Sequence, residues 1–98
     1  MPTFQRLPRF DRDWDALTAA ERRAFRTAVA LFLDGLRGAS GRFHPRLRVH
    51  RIDGTEDIWS LSFGDDARAT FQYGEPIRAG EPHIVWRRVG SHRIYRRP

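Results

Sequence analysis

Ninety-eight residues without a single Cys suffice for one small domain and exclude a disulfide framework and a thiolate metal site. The formal charge is +6, and with Lys absent all eighteen basic side chains are Arg, a balance that points to a polyanionic partner gripped through planar guanidinium forks. No apolar run reaches the length of a membrane span and no signal-peptide pattern opens the sequence, so residues 1–98 are expected to form one domain in the cytoplasm with no membrane partner.

Residues 1–9, with Pro2 and Pro8, leave room for at most a short edge strand. Phe10, Trp14 and Leu17 recur at the spacing of one helical face. Thr18-Ala19-Ala20-Glu21 is a capping-box pattern, which predicts a second helix. Phe25, Val29, Phe32, Leu33 and Leu36 give that helix one apolar stripe, and Arg22, Arg23 and Arg26 lie mostly off it. Gly38 is its expected stop, and 38–41 reads as a flexible link.

Beyond residue 42 the hydrophobic period changes from about four to two. Segments 47–52, 58–63, 68–73 and 84–89 read as four strands. Asp53-Gly54 and Gly64-Asp65-Asp66 are turn signals that suggest antiparallel hairpins, and 74–82, with two Pro and two Gly, is a longer loop. Two helices followed by an antiparallel meander predict an α+β fold, with the helices packed on one face of a four-stranded, mainly antiparallel sheet. Alternation puts Trp59, Leu61, Phe63, Ala69, Phe71 and Tyr73 on the helix side. The other side receives Ser60, Ser62, Arg68, Thr70 and Gln72, joined by Arg48 and His50 from the first strand, and is expected to be a polar, basic, solvated face.

The charge is uneven. Residues 42–51 and 87–97 hold half of the Arg and no acid, and all four His lie beyond residue 42. The C-terminal stretch carries His92 and Tyr95 among Arg87, Arg88, Arg93, Arg96 and Arg97. An imidazole trades a proton near neutral pH and guanidinium groups hold phosphate, so the stretch suits RNA cleavage; a basic tail against an acidic partner is the simpler reading. His50, beside Arg48 and Arg51, is either a general base or a surface strand residue. His92 follows Gly90-Ser91 past a strand end, where functional groups are often presented. His44 and His83, each next to a Pro, are read as structural or exposed. Asp65 and Asp66 fit a turn, from which one of them could orient an imidazole. Trp86 and Tyr95 are candidates for base stacking, although a mid-strand Trp86 fits the core at least as well. The four His form no metal signature and no phosphate-binding Gly loop is present, so neither metal nor cofactor is expected.

The order of elements, together with Phe10-Asp11-Arg12-Asp13-Trp14-Asp15-Ala16-Leu17, His44-Pro45-Arg46-Leu47-Arg48-Val49, Ile58-Trp59-Ser60-Leu61, the Arg68 strand and Val89-Gly90-Ser91-His92, resembles the RelE/ParE toxin superfamily of toxin–antitoxin systems over residues 10–97. Two spacings resemble the YafQ-like ribonuclease branch: His50 four residues before Gly54, and Gly90-Ser91-His92 closely followed by Tyr95. In that branch the aromatic more often stands four residues after the His, here three. The resemblance implies a type II toxin, an mRNA endonuclease dependent on the ribosome, with His50 as general base, His92 as general acid and Tyr95 beside them. It further implies Arg68 on the scissile phosphate, Asp65 or Asp66 as an orienting acid, and a cognate antitoxin with an acidic segment as partner. Arg48, Arg51, Arg87, Arg88 and Arg93 supply the basic surface for RNA. Two alternatives stand beside it: a ParE-like poison of DNA gyrase, which needs no proton-transfer pair, and a catalytically degenerate member that only binds RNA or antitoxin.

Overall fold

The computed structural model describes residues 2–38 and 42–98; the link expected at 38–41 lies outside them but for Gly38. Strand β1 (Thr3–Arg6) leads into helix α1 (Pro8–Ala16), whose Pro8 occupies the first helical turn, where no N–H is missed. Helix α2 (Ala19–Arg37) opens on the expected capping box: the Thr18 hydroxyl accepts from the Glu21 N–H at 3.1 Å while Glu21 Oε1 accepts from the Thr18 N–H at 2.8 Å. It ends at Gly38, whose N–H donates to the Asp34 carbonyl.

Four further strands follow: β2 (His50–Arg51), β3 (Trp59–Ser62), β4 (Ala67–Gly74) and β5 (His83–Ser91). The sheet order is β1-β5-β4-β3-β2. The last three pairings are antiparallel, whereas β1 runs parallel to β5 with Thr3 opposite His83. The sheet is therefore mixed and five-stranded, one strand more than periodicity indicates. Four residues beginning at Thr3 are too few to display a period. Tertiary bonds hold β1: the buried His83 ring lies 2.7 Å from Thr3 Oγ1 and 3.2 Å from Gln5 Oε1 through its two nitrogens.

The first expected strand, 47–52, is largely replaced. Pro45–Leu47 forms a 3₁₀ turn, started by His44, whose Nδ1 accepts from the Arg46 N–H at 3.1 Å. Arg48 then takes a left-handed conformation with φ of 47°, so only His50 and Arg51 remain to pair with Ser60 and Trp59. The Pro-started turn and the backbone reversal at Arg48 override the alternating pattern there, and Arg48 is not a strand neighbour of His50.

The helix-facing side holds the expected core. Phe10, Phe25, Phe32, Leu61, Phe71 and Trp86 are buried, with Val29, Trp59 and Phe63 packed around them. Phe32 stands 4.9 Å from Phe71 and 5.6 Å from Trp86 between ring centroids, tilted as aromatic quadrupoles prefer. Tyr73 is at the margin and remains exposed.

The opposite side departs from expectation. A second 3₁₀ segment, His92–Arg96, folds back over it, so Ser60 and Thr70 are fully buried and Ser62 nearly so. Ile94 is buried in this layer. Gly90 makes room for it: a Cβ there would stand 3.2 Å from Ile94 Cγ2. The polar face is thus mostly roofed by the C-terminal residues. Among the described residues no helix is long and apolar enough to cross a membrane.

Candidate functional site

Strand pairing places the sequence-selected residues in two adjacent rows. His50, Ser60, Thr70 and Arg88 follow one another across the sheet, and Ser62, Arg68 and Gly90 form the next row. Rows two residues apart are separated by about 7 Å.

The His50 ring nitrogen Nδ1 lies 2.8 Å from the Arg48 carbonyl oxygen. A carbonyl can only accept, so in the neutral ring Nδ1 carries the hydrogen and Nε2 presents a free lone pair. The left-handed turn at Arg48 accompanies this arrangement: its carbonyl is released from the strand ladder and takes up the imidazole instead.

His92 has a different partner. Its Nδ1 bonds to Asp66 Oδ1, and its backbone N–H points to the same oxygen at 3.4 Å. The hydrogen bond from the His92 side chain, joined by that from its backbone, holds the Asp66 carboxyl below the usual carboxylate value. Between the two acids of the β3–β4 turn, it is therefore Asp66 that orients an imidazole. An ionised carboxylate can only accept, so Nδ1 donates the hydrogen and Nε2 is directed elsewhere.

Tyr95 stands beside His50. It lies in the same 3₁₀ segment as His92, three residues on, one fewer than the resemblance indicates. Its ring meets the His50 ring edge-on at 6.5 Å between centroids. Its hydroxyl is 2.7 Å from Ser60 Oγ. Ser60 was legible in the sequence as a residue of the polar face, but its partner 35 residues away was not.

Arg68 is fastened to its own turn: Nη1 donates to the Gly64 and Ala67 carbonyls at 2.9 Å and Nη2 to the Asp65 carbonyl at 3.2 Å. The fork is held in place while Nε–H and one Nη2 hydrogen stay available.

The Arg selected for RNA divide into two groups. Arg88 is committed to α1: its Nε and Nη2 each donate to Asp13 at 2.9 Å. Arg87 donates at 2.6 Å to Gln72 and at 3.0 Å to the Pro98 carbonyl, clasping the tail. These two guanidiniums serve the fold first. Arg51 donates to the Thr55 carbonyl and stays exposed. The side chains of Arg48 and Arg93 are exposed and make no hydrogen bond or ion pair among the described residues. Trp86 is buried in the core and presents no face to a base. His44 and His83 have the structural roles given above. No group of three or more His, Cys, Asp or Glu suited to a metal ion occurs among the described residues.

No protein-family model and no curated protein matches the sequence. Solved structures do match. A chain of the Escherichia coli DinJ–YafQ complex superposes with a TM-score of 0.65 at 10% identity, covering 95% of this chain and 96% of that one. YafQ from another E. coli structure gives 0.65 at 9% identity with the same coverage. A copper-bound mutant toxin from Helicobacter pylori gives 0.66 at 13% identity, covering 95% and 97%. Agreement over nearly the full length of both chains, at identities this low, is agreement of backbone architecture: two helices packed on a mixed sheet, in the fold of YafQ.

Proposed function

We propose that this protein is the toxin of a type II toxin–antitoxin pair and a metal-independent endoribonuclease that cuts mRNA on the ribosome. The observation that carries the reading is the unlike commitment of two imidazoles, His50 to a carbonyl and His92 to a carboxylate. A carbonyl fixes one ring and a carboxylate the other, and each leaves its Nε2 for substrate; the reading gives the first ring the role of base and the second that of acid. The fold, shared with a protein from a toxin–antitoxin complex, supports the same reading.

In the proposed reaction the RNA 2′-oxygen attacks the adjacent phosphorus, and its proton passes to His50 Nε2. The phosphorus–O5′ bond breaks as His92 Nε2 gives its proton to the leaving oxygen. The free Arg68 hydrogens stabilise charge on the phosphorane. The Tyr95 ring stands edge-on beside His50. The products are a 2′,3′-cyclic phosphate and a 5′-hydroxyl, and the two His have exchanged protonation states. Arg48, Arg51 and Arg93 supply the surrounding phosphate-binding charge, which also suits rRNA. The net charge of +6 favours an antitoxin whose acidic segment covers this surface.

Translation-dependent cleavage of an mRNA by folded single variants tests the proposal. His50→Ala and His92→Ala should each slow cleavage ~10²–10⁴-fold, the usual contribution of a general acid or base. Ribosome binding should change little, and EDTA should have no effect. Full activity in the double variant overturns the assignment. Induced expression that damages DNA without arresting translation would instead favour action on gyrase.

A further inference from the structure

A second basic site lies beside the first, at the sheet edge where β2 stops short. Arg46, Arg48, Ser62, Phe63, Gly64 and Asp65 line an open cleft of about 380 Å³. Its floor follows from the ladder. The Phe63 N–H donates to the Ala67 carbonyl and the Ile52 N–H to the Ile58 carbonyl. With bonded and non-bonded pairs alternating, the N–H of Ser62 points away from β4, toward the place a longer β2 would fill. Residue 48 would be its partner in that register, but Arg48 has turned left-handed and spends its own N–H on the Pro45 carbonyl. The backbone N–H of Ser62 therefore faces the cleft without a strand partner.

Two further observations point to an anion. Ser62 is more than nine-tenths buried, and its hydroxyl has no hydrogen-bond partner among the described residues. The guanidiniums of Arg46 and Arg48 are exposed and make no hydrogen bond or ion pair among the described residues. The cleft also holds one carboxylate, Asp65, whose backbone carbonyl accepts from Arg68. Two free guanidiniums, a hydroxyl and an outward N–H against one carboxylate leave the cleft cationic and rich in donors.

We propose that this cleft is a subsite for a phosphodiester of single-stranded RNA, the neighbour of the one between His50 and His92. It rests on the ribonuclease reading for its substrate class. Arg48 couples the two positions: its carbonyl sets the His50 tautomer and its side chain lines the cleft. A residue in a sparsely populated backbone region, retained beside a binding cleft, fits a strained functional position. Arg46 and Arg48 would grip the phosphate oxygens, and Ser62 would donate from below.

The test is binding of a 2′-O-methyl oligoribonucleotide, which cannot be cleaved, so catalysis does not enter. Arg46→Gln and Arg48→Gln should each weaken binding on the order of tenfold, as for a charge-assisted hydrogen bond. Each should also flatten the slope of log affinity against log salt by ~0.7, the value for one phosphate contact on a single strand. Asp65→Asn should strengthen binding, the opposite sign. In the wild-type protein the Ser62 amide resonance should shift on titration with the oligonucleotide, and Ser62→Ala should weaken binding without changing the salt slope. Unchanged affinity and slope in both Arg variants, or no binding by the wild type, overturns the subsite. Cleavage by the His variants is scored separately, so loss of the subsite and loss of the ribonuclease reading are told apart.

Discussion

The hydrogen bond between Ser60 and Tyr95 shows how one contact ties folding to the site. Ser60 is fully buried, so its hydroxyl needs a partner, and the returning tail supplies one in the Tyr95 hydroxyl. Tyr95→Phe leaves that hydroxyl unsatisfied, and Ser60→Ala leaves the phenol without its anchor. Each should cost ~1–3 kcal/mol, the penalty for an orphaned buried polar group. The double variant should cost no more than the worse single, because both halves of the pair are then gone. Thermal melts of the four proteins measure this directly; strictly additive losses would mean that the pair is not a unit. Asp66 takes a different partner from its neighbour. It is adjacent in sequence to Asp65, yet the two point their chemistry into different places, one to His92 and one to the basic cleft.

Among the elements, β5 carries most of the architecture. Its first half is covered by β1 and β4, but β1 ends at Arg6, and beyond it the outer edge of β5 would be bare. Helix α1 takes over there. Asp13 accepts the Val89 N–H at 3.2 Å and both donors of Arg88, so one carboxylate closes a sheet edge and pins a helix. Burial raises the carboxyl's pKa, but the hydrogen bonds from Arg88 and Val89 and the charges of Arg88 and Arg9 together outweigh it. The group ends below its ordinary value of 3.8. A depressed carboxyl stabilises the fold above its unfolded pKa, and that stability is lost as the pH falls through the folded value. Asp13→Asn should therefore cost roughly 1.5–3 kcal/mol near neutral pH, as for hydrogen bonds to a charged group. The gap between variant and wild type should close as the pH drops below about 4. Urea unfolding at a series of pH values gives both numbers, and a gap that stays constant to pH 2 would remove Asp13 from this role. A register shift between Thr70 and Phe71 leaves Arg87 as the extra residue opposite them, and its fork clasps Gln72 and the tail.

Over the whole molecule, the sheet is covered on both sides by different chemistry. The helices bury an aromatic core, whereas the tail covers a polar row through hydrogen bonds to Thr70, Arg87 and Arg9. The two layers should fail differently. Phe32→Ala empties the centre of the core, where Phe32 is wholly buried against Phe43, Phe71 and Trp86. It should cost ~3–5 kcal/mol, a large part of the stability of a domain this small. Global unfolding by denaturant should register that loss in full, with hydrogen exchange accelerated in every strand. Exchange confined to the tail would show that the core tolerates the cavity.

What is local and periodic in this fold was legible in the sequence. The capping box at Thr18, the apolar stripe of α2, the alternation that unites Trp59 with Phe71 on one face, and the turn acids between β3 and β4 all follow from short-range chemistry. So does the pairing of a Gly-Ser-His ending with a nearby aromatic. What depends on partners distant in the chain was set only once the elements packed together. A parallel β1 of four residues has no period to read and is held by His83, eighty residues beyond Thr3. The segment at 47–52 alternates like a strand, but a Pro-started turn and the reversal at Arg48 prevail, and only that reversal frees the carbonyl that sets the His50 tautomer. The polar face could be read from Ser60, Thr70 and Arg68, yet its cover could not, because a 3₁₀ tail rich in Arg carries no hydrophobic stripe to announce where it will dock. Likewise Arg88 and Arg48 look alike in sequence. Only Asp13, reaching across from α1, makes one of them a strut and leaves the other free to bind.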